Sequence, residues 1–255
     1  MIDIHAHILP GIDDGPKTME DSLSLLRYAK DNGVKEIIAT PHYRPPKYQC
    51  ANIKSIFEEL KTKVEQEGLG LNIFLGSEIY LEEEWQAGLM SGKCSSMGGS
   101  SYLLVELPRH KIYPYHEKLL YEIQLQGFQI ILAHIERFDY LIKEPDLLQT
   151  LKDRGYYMQL NASSLMDRRT KKTALNLLWK GVIHFIASDS HNLLSRKPQM
   201  REAYTLVQDE LGIDAAELLF RKNGAKLIAN EPIVDLKTEK KTHKGMIGRL
   251  LAPWK

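Results

Sequence analysis

Seven short runs of this chain are apolar enough to be strands, and each is followed by a stretch long enough to hold a helix. They cover residues 2–5, 34–40, 71–78, 101–107, 128–134, 156–161 and 183–188. Several are nearly continuous in apolar residues, as in Glu36-Ile37-Ile38-Ala39, Tyr102-Leu103-Leu104-Val105 and Ile130-Ile131-Leu132-Ala133. Such runs suit parallel strands buried on both faces. Between them, Thr18-Met19-Glu20-Asp21 reads as a capping box that starts a helix, which Gly33 stops. Ile53, Ile56, Phe57 and Leu60 make a second helical stripe ending near Gly68; Leu119, Leu120 and Ile123 make a third ending at Gly127. Residues 166–180 and 197–211 read as two more helices. Successive βα units imply either a closed barrel or an open sheet, and 255 residues suit one large domain or two small ones.

The polar residues at the strand ends favour the barrel. Active sites of parallel βα folds lie at the C-terminal ends of their strands. Here the strands end at His5 and His7, His42, Glu78, Glu106, His134, and Asp189 with His191. Convergence from six strand ends is natural in a closed barrel and awkward in an open sheet. His5-Ala6-His7 places two imidazoles on one side of a strand, and Asp189-Ser190-His191 repeats the arrangement. Asp14, in Gly11-Ile12-Asp13-Asp14-Gly15, supplies a ninth donor. Any one of these residues alone would read as a solvated loop side chain; together they exceed what a single metal can use. Four ionised carboxylates in one pocket demand cations. Three divalent ions would leave the pocket at +2, or +1 with a bridging hydroxide, which suits an anionic substrate such as a phosphate. Imidazole and carboxylate without thiolate suit Mn, Fe, Co, Zn or Mg.

Other chemistries are excluded. A cysteine-dependent phosphatase needs Cys-x5-Arg, but Ile56 and Ser100 stand six residues after Cys50 and Cys94. Two such cysteines form neither a disulfide framework nor a CxxC pair. A net charge of +1 gives no global field toward nucleic acid. No apolar run reaches a membrane span, and the first residues lack the features of a signal peptide, so a cytoplasmic setting is expected.

The motifs His5-x-His7, Thr40-Pro41-His42, Gly76-Ser77-Glu78, Glu106-Leu107-Pro108, Ala133-His134-x-Glu136-Arg137 and Ser188-Asp189-x-His191-Asn192 resemble those of the polymerase and histidinol phosphatase (PHP) superfamily. His-x-His-Ile-Leu-Pro-Gly-x-Asp-Asp-Gly is similar to its branch of bacterial protein-tyrosine phosphatases encoded with capsular or exopolysaccharide synthesis. The resemblance runs from Met1 to about Asn230. It implies a distorted (β/α)7, TIM-like barrel spanning residues 1–234, with up to three metals, manganese foremost, at the C-terminal ends of the strands. It implies that His5, His7, Glu78 and Asp189 hold one metal. Glu78 would bridge to a second, also held by Glu106 and His134, and Asp14, His42 and His191 would hold a third. Arg137 and Arg196 match two phosphate-binding arginines. Ile135 stands where the family commonly has proline, which bears on the loop that carries Arg137. The implied reaction is hydrolysis of phosphotyrosine, with metal-bound hydroxide attacking phosphorus in line and the two arginines stabilising the phosphoryl oxygens.

The implied substrate is a membrane-associated tyrosine autokinase with a tyrosine-rich tail. Tyr43, Tyr48, Tyr80, Tyr113 and Tyr115 lie near strand ends and are candidates to stack on a phosphotyrosine ring. Arg44, Lys47, Arg109 and Lys111 are candidates to meet acidic residues around it. Ordinary packing and solvated charge are the competing readings. Residues 235–255 form a tail in which six basic residues oppose one acid after Asp235, with Met246, Ile247, Leu250, Leu251 and Trp254 close by. A basic, partly apolar segment fits an anionic membrane surface, against a simply solvated tail. The functional alternatives are a small-molecule phosphomonoesterase of histidinol-phosphate type and a non-catalytic metal-binding regulatory subunit. A nuclease fits worst, because the body shows no basic groove.

Overall fold

The computed structural model describes residues 1–238, so most of the tail, 239–255, lies outside the described residues. Among the described residues, nine parallel strands are arranged as seven staves. They are β1 (Ile2–Ala6), β2 (Glu36–Ala39), β3 (His42–Tyr43), β4 (Asn72–Leu75), β5 (Glu78–Tyr80), β6 (Tyr102–Glu106), β7 (Gln129–Leu132), β8 (Tyr157–Asn161) and β9 (Phe185–Ala187). β1-β2-β4 form one sheet and β3-β5-β6-β7-β8-β9 the other. The second stave continues beyond its expected end at residue 40 into β3, and the third expected strand is split into β4 and β5. Pro41, between β2 and β3, has no N–H for the ladder. Between β4 and β5, a side chain at Gly76 would stand 2.9 Å from Met97 Sδ and 3.0 Å from Ile38. Hydrogen bonds carry each stave across its break, with Gly76 N–H donating to Ala39 O (2.8 Å) and Glu78 N–H to Pro41 O (3.1 Å). The last stave returns to the first: Asp189 N–H donates to His5 O (2.8 Å) and His7 N–H to Ser190 O (2.9 Å). This is the distorted seven-stave barrel.

Inside, alternation along the strands makes an apolar floor under a polar mouth. Tyr102 and Leu104 on β6, Ile131 and Ala133 on the β7 stave, and Phe185 and Ala187 on the β9 stave pack together with Ile2, Ile4 and Ile38. Two residues further along the same columns stand Glu106 and Asp189. β1 does something alternation alone would not. Its register against β2 slips between Asp3 and Ala6, so Ile2 and Ile4 belong to the floor while His5 and His7 face the cluster above. A bulge of this kind switches which residues face inward. The Asp3 carboxylate supports it, accepting from the N–H groups of Ser188 (2.9 Å) and His5 (3.4 Å).

Helices cover the outside through a second, larger apolar layer. The helix Met19–Asp31 has the expected capping box, with Thr18 and Asp21 reciprocally bonded. Ile53–Gln66 and Pro114–Leu125 follow as expected. Two expectations are corrected. The stretch 166–180 is not one helix: Ala162–Met166 ends before a turn in which the Asp167 side chain caps Arg169 N–H (2.9 Å), and Lys171–Trp179 begins after it. The stretch 197–211 is helical only from Met200 to Leu211, because Pro198 disfavours helical backbone at Lys197. The helix Trp85–Ser91 and the C-terminal helices from Ile213 to Ile228 were not anticipated. No helix among the described residues is long and apolar enough to cross a membrane.

The floor is laced shut from below by residues 230–236. Asn230 Oδ1 accepts from Ser101 N–H and Oγ–H (both 2.8 Å), and Tyr102 Oη–H donates to Glu231 O (2.8 Å). Asn223 exchanges hydrogen bonds with the backbone of Val234. Asp235 meets His184 Nε2 at 2.8 Å, and Leu236 is buried, so packing against the body continues past residue 234. Thr238 lies beside Gly181, at the entry to β9.

Candidate metal centre

All nine candidate ligands come together at the C-terminal mouth. Glu78 is at the middle and fully buried. Its Oε2 is 3.3 Å from both His5 Nε2 and His7 Nε2 and 2.8 Å from His42 Nδ1, while Oε1 is 2.7 Å from His134 Nε2. Glu106 Oε1 stands 4.0 Å from that same His134 nitrogen. Asp189 Oδ1 lies 3.6 Å from His5 Nε2 and 3.5 Å from His7 Nε2. Asp14 Oδ1 faces His42 Nε2 at 3.4 Å and His191 Nε2 at 3.3 Å. Three donor groups are compact enough for an ion: His5–His7–Asp189, His7–Asp14–His42–His191, and His42–Glu78–Glu106. They overlap the three sets expected from the resemblance, sharing His7 and His42 between groups.

Unusual backbone delivers two of these ligands. His134 (φ 32°) and Asp189 (φ 50°) both have left-handed backbone, uncommon for residues other than glycine. After Ile131 and Ala133, alternation would turn Ile135 inward. Instead the left-handed turn at His134 ends the stave and swings its imidazole onto Glu78. Ile135 is fully buried in the outer apolar layer, and the loop still carries Arg137 to the site. Arg137 Nη2 meets Asp189 Oδ2 at 2.8 Å; Arg196 Nη2 meets Oδ1 at 2.8 Å and its Nη1 lies 3.5 Å from Asp14 Oδ2.

The donor set fits cations on two counts. Three imidazole nitrogens converge on Glu78 Oε2, yet none is aligned to donate to it, and it is left without a hydrogen-bond partner; buried His191 Nε2 is likewise unpartnered. Donor atoms aimed past one another at a common point are what a shared ion requires. The protonation balance agrees. Burial alone would lower His7 and His42, but Asp13 raises His7 to about 9, and Glu78 with Asp14 raises His42 to about 11. Burial works against ionisation of Glu78 and Asp189, yet the surrounding histidines and arginines hold both well below the usual carboxylate range. Burial and the charge of Glu78 push Glu106 up, and burial beside His7 lowers His191 to about 4. The pocket therefore draws in positive charge, which divalent ions can supply in place of protons.

Asp13 is a functional residue that reading the ligands one by one does not find. It is buried beside His7, with Oδ2 2.6 Å from His7 Nδ1, and accepts from His42 N–H (2.9 Å) and Gly15 N–H (2.8 Å). Holding Nδ1 leaves His7 Nε2 to face the cluster. Gly15 permits this turn: a β-carbon there would lie 2.8 Å from His7 O and 2.9 Å from Asp13 Oδ1. Gly15→Ala should therefore loosen the grip of Asp13 on His7 and weaken metal retention by about 10- to 100-fold, measured by dialysis against a graded chelator. Wild-type retention would refute the role given to this turn.

The aromatic candidates separate. Tyr43 is buried and donates from Oη to Glu84 O (3.3 Å), so it does not line the mouth. Tyr48 stacks on His42 with centroids 5.2 Å apart, and Tyr80 lies under the Arg44 guanidinium at 3.8 Å. Tyr113 and Tyr115 are exposed and stacked on each other. Lys47 and Lys111 lie over Tyr48 and Tyr113. Cys94 is buried, which raises its thiol to about 12 and removes it as a nucleophile.

Residues 1–229 match the model of the family described as "Capsular polysaccharide synthesis, CpsB/CapC". The tyrosine-protein phosphatase YwqE of Bacillus subtilis is 33% identical over 238 residues, covering 91% of this chain and 93% of that protein. The tyrosine-protein phosphatase CpsB of Streptococcus pneumoniae is 32% identical over 243 residues, covering 91% of this chain and all of the relative. A crystal structure from work on YwqE and CpsB, described there as unique metal-dependent tyrosine phosphatases, superposes with a TM-score of 0.86 at 32% identity. That match covers 92% of this chain and 97% of the other.

Proposed function

The chain belongs to the CpsB/CapC family of capsular polysaccharide synthesis, and from that membership we propose that it is a metal-dependent protein-tyrosine phosphatase acting on a tyrosine-phosphorylated kinase of the polysaccharide machinery. The observation that carries the reading is the convergence of five imidazoles and four carboxylates on one mouth, with Glu78 at its centre. His5, His7, Glu78 and Asp189 would hold one ion, Glu78, Glu106 and His134 a second, and Asp14, His42 and His191 a third. Manganese is the proposed metal. Bound ions supply Lewis acidity and a water acidic enough to attack phosphorus near neutral pH.

The protein's own groups do the rest. Arg137 and Arg196 flank Asp189 from opposite sides and present their remaining N–H groups to the phosphoryl oxygens, where charge accumulates as the ester bond breaks. The departing tyrosine phenolate, with a parent pKa near 10, is a fair leaving group, and no covalent phosphoenzyme is needed. Arg44 and Lys47, at the rim, would meet acidic residues flanking the phosphotyrosine. The proposed setting is the cytoplasm, at the inner face of the membrane where such a kinase resides, with the basic tail 239–255 as the membrane contact. Turnover of a phosphotyrosine peptide by the manganese-loaded protein, compared with histidinol phosphate, tests the activity. A preference for the small ester would overturn the protein-phosphatase reading, and no turnover with metals bound would favour a regulatory subunit.

Metal uptake should release protons. His7 and His42 carry protons in the metal-free pocket, since their pKa values are raised to about 9 and about 11. An imidazole binds metal only when neutral. Below pH 9 each must lose its proton as the ion enters, so affinity should strengthen as pH rises from 6 toward 9. Activity should rise in the same direction, low in acid and higher at mildly alkaline pH. Calorimetric titration at pH 7.5 in buffers of different ionisation enthalpy should report about two protons released in all as the site fills, one from each of these imidazoles. Zero release would contradict this picture of the site.

A further inference from the structure

β8 is the one stave that brings neither an imidazole nor a carboxylate to the mouth. Its two inward side chains there, Gln159 and Asn161, are nonetheless completely buried among the ligands. Burying primary amides is unfavourable unless their donors and acceptors are matched. The orientation of both follows from one fixed point. A backbone N–H can only donate, and that of His134 points at Gln159 Oε1 at 2.7 Å. That atom is therefore the carbonyl oxygen. The Gln159 nitrogen then faces Asn161 Oδ1 at 2.8 Å, and Asn161 Nδ2 faces Asp189 Oδ2, an acceptor, also at 2.8 Å. Flipping either amide would set donor against donor and oxygen against oxygen.

The same Gln159 oxygen lies 3.1 Å from His5 Nδ1. Because it can only accept, the hydrogen of the ring must be on Nδ1. His5 Nε2 is then left to face His7 Nε2 at 3.2 Å and Glu78 Oε2 at 3.3 Å. Without an acceptor at Nδ1, the ring is free to place its hydrogen on Nε2 and block the metal. One amide oxygen thus ties the His5 side chain, on β1, to the left-handed backbone of His134, after β7. Its nitrogen continues through Asn161 to Asp189, after β9.

We infer that Gln159 is a positioning residue that fixes the His5 tautomer and, through Asn161, turns Asp189 so that Oδ1 faces the ligand cluster. The inference rests on the metal-centre reading above. It gives β8 a task that its lack of ligands conceals: one hydrogen-bonded chain, His5–Gln159–Asn161–Asp189, sets two ligands from the barrel's first and last staves.

Full-length Gln159→Leu and Gln159→Glu test it. Gln159→Leu removes the acceptor; Gln159→Glu keeps an oxygen facing both His5 Nδ1 and His134 N–H. Cobalt titration followed by visible absorption should show the midpoint of Gln159→Leu raised about 10- to 100-fold. Gln159→Glu restores the oxygen facing His5 but sets its second oxygen against Asn161 Oδ1, so it should recover only part of that loss. At saturating metal, KM for a phosphotyrosine peptide should stay within about twofold in both, because neither residue touches substrate. In zinc-loaded, 15N-labelled protein, long-range NMR should place the His5 hydrogen on Nδ1 in wild type and in Gln159→Glu. A wild-type spectrum with that hydrogen on Nε2 would overturn the inference without any mutant, so it stands exposed even if Gln159→Leu fails to fold. A folded Gln159→Leu with an unchanged cobalt midpoint would overturn it, and so would a Gln159→Glu whose His5 hydrogen sits on Nε2 despite the retained oxygen. A wild type that takes up no cobalt would instead remove the metal centre, and this inference with it.

Discussion

Glu78→Ala should strip more than one metal equivalent from the protein and abolish turnover. Both Glu78 oxygens are engaged, Oε1 toward His134 and Oε2 toward His5, His7 and His42, so four of the five imidazoles are organised around this one carboxylate. It is the proposed ligand shared by two ions, and removing it takes away the one negative charge they share. Two cations drawn close together without a carboxylate between them repel strongly in a buried pocket. Glu78→Gln separates charge from shape: it keeps the volume and one acceptor oxygen but no charge, and should also lose metal. Elemental analysis of each variant after gel filtration, with circular dichroism as the folding control, measures the effect. Full metal content in folded Glu78→Ala would refute the bridging role.

Arg137→Ala and Arg196→Ala should each lower kcat by between about ten- and a thousand-fold, the upper end being the loss of one oxyanion donor, while metal content stays normal. Both guanidinium groups reach opposite oxygens of Asp189, yet 40% of the Arg137 side chain and 32% of the Arg196 side chain remain accessible from the mouth. Each therefore has N–H groups to spare for an entering phosphate. Lysine replacements test the geometry, since they keep the charge and lose the planar fork; only partial rescue is expected. Unchanged rates in both alanine variants would sink the assignment. Loss of metal with loss of rate would show instead that the arginines act by restraining Asp189.

Much of the site was legible in the sequence because its chemistry sits where strands stop. Seven apolar runs gave the seven staves, and a polar residue at the end of nearly every run marked the mouth. What sequence could not show were the places where backbone departs from alternation. The register slip in β1 turns His5 and His7 inward, although Ile2 and Ile4 below them are inward too. Nothing in the residue types of His134 or Asp189 announces left-handed backbone; their surroundings impose it. The break between β2 and β3 follows from the missing N–H of Pro41, whereas the crowding of Gly76 by Met97 is a contact across the fold. Gln159 and Asn161 were passed over because amides at the end of a strand read as ordinary. Their meaning lies in partners more than twenty residues away.

The lacing beneath the floor has a practical consequence. The chain passes Thr238 beside the entry to β9, at the pole of the barrel opposite the ligand-bearing mouth. Position 238 itself therefore lies on the side of the barrel away from the entering phosphate. Fixed to a sensor chip through a label at Thr238, the molecule would turn its mouth toward phosphotyrosine peptides in solution.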